Sequence, residues 1–156
     1  MNALLNKKAF LVTPPAAIVN NASLTCNVID TLGYTDLEII VLLGATDIAL
    51  TTLKVQESDT AASSTALTGG ADITGTRFGT DANDTGSTST APSATDDNKL
   101  FSFKIDLRGR KRYLLPVVTV GNGSSGAFVT VLALLSRPSD GPRTAADSGY
   151  SQRMLV

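Results

Sequence analysis

Asp36 and Glu38 stand two apart in the run DLEIIVLL, residues 36–43. On a strand, positions i and i+2 share a face, so the two carboxylates could pair as the acid and base of a hydrolase. The plainer reading is a solvated strand face. The chain has no histidine. That removes the commonest general base and the commonest transition-metal ligand together, and no Ser-His-Asp or Cys-His site can be built from this chain alone. Cys26 is the one cysteine, so neither an intrachain disulfide nor a cysteine metal cluster forms. It lies on the apolar side of ASLTCNVI, residues 22–29, and reads as a small buried hydrophobe rather than a reactive thiol.

Two further groups could bind something. Asp81, Asn83 and Gly86 fall at positions 1, 3 and 6 of a calcium-hand loop, but position 12 is Pro92 where a bidentate Glu is required, and no helices flank it. A looser oxygen site from Asp81, Asp84, Asp96 or Asp97 is the residual metal reading, and short polar residues in loops are more often turn formers. Arg108, Arg110, Lys111 and Arg112 form the densest charge run. They could cradle phosphate, blunt a strand edge on a solvated hairpin, or contact an acidic patch on a protein partner, where forked guanidinium pairs give specificity.

The elements that position these residues are strands. LFSFKIDL (100–107) sets Phe101, Phe103, Ile105 and Leu107 against Ser102, Lys104 and Asp106. Residues 36–43 put Leu37, Ile39, Val41 and Leu43 on one side, and turn apolar on both sides in their second half. That predicts a central or covered strand, ended by a GATD turn. Residues 9–13, 22–29, 48–57, 113–120 and 127–135 are the other strand candidates. AFVTVLALL (127–135) is apolar on both faces and predicts a deeply buried strand. Pro116 within YLLPVVTV predicts an edge or a bulge. GNGSSG (121–126) and RGRKR (108–112) read as turns.

Composition bounds the answer. The 156 residues, 42% hydrophobic and 17% charged, make one domain (1–156) with a real core. Thr, Val and Ile suit pleated surfaces while Gly, Asn, Asp and Ser suit turns. The fold expected is all-β, an antiparallel β-sandwich or jelly roll with a long inserted loop over about residues 58–99. Within that loop, 73–79 could be a short structured piece and Phe78 could pin it to the core. A net charge of −1 gives no global reason to seek nucleic acid or an anionic membrane, and no apolar run approaches the ~20 residues of a membrane-spanning helix. The N-terminus faintly resembles a signal peptide, but Pro14-Pro15 breaks it, and a strand followed by a Pro-Pro turn reads better. Neither partner is therefore expected, nor is a cofactor or a bound metal.

Laid out in order, the chain resembles the head decoration (cement) proteins of tailed bacteriophages. The resemblance covers roughly residues 30–138. Its most specific parts are VQESD (55–59) and LRGRKRYL (107–114), the latter followed by the Gly-rich turn and the apolar strand. Pro116 departs from it, standing where an ordinary strand residue is expected. The resemblance implies a β-sandwich or jelly-roll subunit, a homo-oligomer (trimer or dimer), without catalytic residues. It implies a place in the virion, on the outer surface of the capsid, bridging neighbouring major capsid protein subunits.

On this reading the protein is not an enzyme. Extended arms, residues 1–20 and 139–156, would reach its neighbours, with weak contacts multiplied by symmetry. The residues expected to touch a partner are Arg108, Arg110, Lys111 and Arg112 together with the apolar end Met154, Leu155 and Val156. The alternative is a virion-displayed receptor- or glycan-binding β-sandwich of head or tail. It would need an aromatic-lined groove, from a chain with three Tyr, five Phe and no Trp.

Overall fold

The structure is a computed structural model, and it describes residues 6–14, 17–79, 89–139, 144–152 and 154. Ten strands follow in chain order: β1 (Lys7–Thr13), β2 (Ile29–Asp30), β3 (Tyr34–Thr46), β4 (Leu50–Ser58), β5 (Ala61–Ser63), β6 (Ala66–Leu67), β7 (Ala71–Arg77), β8 (Leu100–Asp106), β9 (Tyr113–Val120) and β10 (Ala127–Pro138). One sheet has the order β1-β10-β3-β8, a second β2-β9-β4-β7, and β5-β6 form a small ribbon. Every pairing is antiparallel.

The pairs β1·β10, β2·β9, β3·β8 and β4·β7 are nested in sequence. One long antiparallel ribbon has thus been rolled into two facing sheets, which is the jelly roll. The alternation of the sequence builds the space between them. Leu37, Ile39, Val41 and Leu43 of β3 and Val129, Val131, Ala133 and Leu135 of β10 point inward from the first sheet. Leu53 and Val55 of β4 and Leu114, Val118 and Val120 of β9 belong to the same buried cluster. Each fully buried Leu, Ile or Val contributes about 1.5–3 kcal/mol relative to exposure.

Several expectations need correction. The basic run closes no hairpin, and neither does the Gly-rich stretch 121–126, because β8 and β10 lie in the first sheet and β9 in the second. A turn signature is the same whether the chain doubles back in its sheet or steps across to the other. The GATD turn is also misplaced, since β3 runs on to Thr46. Residues 22–29 are a strand only at Ile29. The earlier part touches β9 through a Ser23↔Thr119 bridge, then bows away so that Asn27 N–H reaches Val12 O and Val28 N–H reaches Ser64 O. The inserted stretch 58–99 is not a plain loop, because it holds β5, β6 and β7, and β7 is the edge partner of β4. Phe78, just after β7, does hold it down, edge-on to Phe101 (5.4 Å) and Phe103 (5.0 Å).

Pro116 sits neither on an edge strand nor at a bulge, since β9 is flanked by β2 and β4 and pairs Pro116 with Val55 in regular register. Leu24 N–H bonds Val118 O and Val120 N–H bonds Ala22 O. Positions 116, 118 and 120 therefore direct their backbone polar groups away from β4. The donor missing from Pro116 faces the gap where residues 25–28 have bowed off, so no ladder bond is lost. This is the local form of the edge rule for proline.

Candidate interaction surfaces

The basic run is built into the step from β8 to β9, with Gly109 at φ +77° making the turn. Each guanidinium meets a different carboxylate. Arg108 Nη2 lies 2.6 Å from Asp106 Oδ2, and its proximity pulls the Asp106 carboxyl down to about 2. Arg110 Nη1 is 3.3 Å from Glu57 Oε1, and the Lys111 backbone N–H donates to Glu57 Oε2 at 3.0 Å. Arg112 forks onto Asp30 through Nε (2.9 Å) and Nη2 (2.7 Å) and stacks 4.8 Å over the Tyr113 ring. The carboxylates come from β8, β4 and β2, so the run fastens one end of the sandwich and offsets most of its own charge. Such exposed pairs contribute modestly to stability. Of the apolar end, Met154 is 90% exposed, while Leu155 and Val156 lie outside the described residues.

The residues with chemical potential are dispersed. Asp36 and Glu38 do share the outer face of β3, yet each has its own cation: Arg137 Nε 3.1 Å from Asp36, and Lys104 Nζ 3.9 Å from Glu38. Cys26 is buried, and that burial pushes its thiol up to about 11. Asp96 accepts from Lys99 Nζ at 2.7 Å and from Ser93 N–H at 2.6 Å, and Asp97 accepts the Thr46 N–H at 2.7 Å. Both act as turn anchors. Asp81 and Asp84 lie outside the described residues. Among the described residues no cluster of three or more His, Cys, Asp or Glu could hold a metal ion. A groove of about 530 Å³ runs beside residues 17–25 and Val129, and its described lining holds no aromatic and no titratable side chain.

The surface that sequence reasoning missed is the outer face of the first sheet. Directly opposed residues of an antiparallel pair share a face. Leu11, Leu132, Ile40 and Ser102 therefore form one outer row, and Thr130, Leu42 and Leu100 the next. Phe128 caps this end beside Gly44, where an added Cβ would lie 3.1 Å from the Phe128 Cβ. Leu11 is 49% exposed, Leu42 51%, Leu100 65% and Phe128 43%. Ile40, Leu132 and Leu134 are half-buried among them. The outward side of AFVTVLALL is thus apolar and partly open, where a deeply buried strand was expected.

The outer face of the second sheet is its opposite. Ser23 Oγ bonds Thr119 Oγ1 at 2.8 Å. Lys54 and Gln56 both donate to Asp72, at 2.6 and 2.8 Å. Leu115 and Val117 stand half-buried on this face, and none of its strands carries an exposed large apolar side chain. One sandwich therefore presents two unlike sides, and only the first exposes several large apolar side chains.

No family model matches the chain, and comparison with the curated proteins and with the solved structures gives no match.

Proposed function

We propose that this chain is a structural, non-catalytic virion protein that binds the outer surface of a tailed-phage capsid. It stabilises the shell by bridging neighbouring major capsid subunits. The observation that supports this best is the meeting of the two segments on which the resemblance rests. Glu57 of VQESD holds Arg110 and Lys111 of LRGRKRYL, so the two blocks form one corner of the fold. The jelly roll is also the fold that the resemblance implies, although fold alone does not fix function.

The test is the copy number of this chain in gradient-purified particles, relative to the major shell protein. The expected result is a copy number in simple ratio to the shell. A few copies would move the protein to the neck or tail and favour receptor or glycan recognition. Absence from the particles would overturn the virion assignment.

A further inference from the structure

We infer that the outer face of the sheet β1-β10-β3-β8 is a homodimer interface, closed by a second copy of this chain packed face to face. The inference concerns self-association and holds whether or not the chain binds a capsid.

Extent is the first argument. Four strands about 4.8 Å apart, carrying outward rows about 6.8 Å apart, make a face of roughly 600 Å². Two such faces pressed together bury on the order of 1,000 Å², the size at which a specific interface holds. Flat sheet faces of this kind pack at about 10 Å separation in sandwiches.

Charge is the second. At one end of the face Asp36, Glu38 and Asp106 are matched by Arg137, Lys104 and Arg108. Lys7, on the Asp36 row, adds one cation at this end; the rest of the matching is internal, so the face offers little to an acidic or a basic partner. A surface that must meet itself cannot afford one-sided charge, because in a two-fold contact every group meets the same surface on the other copy. A two-fold axis near Leu42 lays the Leu11–Leu132–Ile40 row of one copy over the Phe128 end of the other. Both charged ends then fall outside as a polar rim.

The contrast within the molecule is the third. Both sheets share the same buried core, yet the exposed Leu11, Leu42, Leu100 and Phe128 of the first have no counterpart on the second, where Leu115 and Val117 are half-buried beside hydrogen-bonded Ser, Thr, Lys, Gln and Asp. Folding of the single chain does not call for that difference; association does.

The experiment is light scattering with size exclusion, on the full chain at up to about 100 µM, for wild type, Leu42→Arg, Leu100→Arg and the control Val117→Arg on the second sheet. Wild type and the control should be dimers. Leu42→Arg brings two cations together at the axis and should weaken association about a hundredfold or more, since each change counts twice by symmetry. Circular dichroism checks folding, and if Leu42→Arg fails to fold, Leu100→Arg on the exposed edge strand decides. A wild-type monomer, a trimer, or a dimer that survives in the folded variants would overturn the inference. A monomer that still fills particles would overturn it and leave the virion reading standing; a dimer absent from particles would do the reverse.

Discussion

Glu57 and Lys111 are joined by a hydrogen bond from the Lys111 backbone N–H to Glu57 Oε2, 3.0 Å long, across 54 positions of sequence. It ties the end of β4 to the step between β8 and β9. Glu57→Ala removes this acceptor and the Arg110 pair at once, leaving a part-buried donor unmet. The expected cost is about 1–2 kcal/mol, a fall in Tm of roughly 2–8 °C for a domain of this size. Glu57→Gln keeps an acceptor and should lose less. Thermal unfolding of both variants checks the order, and equal losses would show that the hydrogen bond adds nothing beyond the charge.

Stability should fall in acid over a defined window. Arg108 beside Asp106, and Lys99 with Ser93 beside Asp96, hold those carboxyls at about 2, against an ordinary 3.8. Arg112 lowers Asp30, and the Gly126 and Ser125 backbone N–H groups lower Asp47. A carboxyl whose folded pKa is depressed stabilises the fold above its unfolded pKa, and that contribution is lost as pH falls through the folded value. Tm should therefore hold from pH 7 to about 5, then decline between about 4 and 2. With no histidine in the chain, a step near pH 6 to 7 would contradict this account.

Gly126 sits at φ +100°, and a Cβ there would collide with the Val19 carbonyl, which already accepts the Ala127 N–H at 2.8 Å. Gly126→Ala should destabilise by about 1–3 kcal/mol or more. Gly109, at φ +77° but in open space, should lose only the backbone part, about 1 kcal/mol. Chemical denaturation of the two variants measures the difference.

Cys26 should be inert in the folded protein. Burial raises its thiol to about 11, so little thiolate exists at pH 8 and access is closed. Labelling by a disulfide reagent at that pH should be slowed at least about a hundredfold relative to the denatured chain. Rapid labelling under native conditions would mean that the segment holding Cys26 opens readily.

Adjacent turns of the same strand should respond differently. Ile39 is fully buried, and Ile39→Ala should cost about 2–5 kcal/mol. Leu42 lies on the open face, and Leu42→Ala in the dissociated chain should stay within about 0.5 kcal/mol. Denaturant titration at low protein concentration makes the comparison.

The inward half of the fold was legible because period-two alternation reports one buried face: Phe103 and Ile105 of β8, and Leu37 through Leu43 of β3, lie where the pattern puts them. The outward half was not. Residues 40–43 and 127–135 are apolar on both sides, and sequence cannot separate a strand covered twice from one covered once and left open. Turn residues at 109 and 121–126 marked where strands stop, yet said nothing of which sheet comes next. The basic run was visible, but its partners Asp30 and Glu57 are distant in sequence and ordinary in type. Pro116 pointed to an edge or a bulge and sits at neither; its harmless place depended on residues 25–28 leaving the ladder, which no local signal records.

The nesting of the strands fixes an order in time. Lys7 of β1 pairs with Ser136 of β10, and β10 is the only strand that β1 touches in its sheet. During synthesis at about 5–20 residues per second, β1 must wait roughly 6–25 s for its partner. β10 also separates β1 from β3, so the first sheet cannot close before the last strand has emerged. Until then β3 offers an unpaired edge, and its second half is apolar on both sides. A jelly roll wound this way folds late and nearly all at once, and its period of greatest exposure to aggregation is the interval just before its final strand arrives.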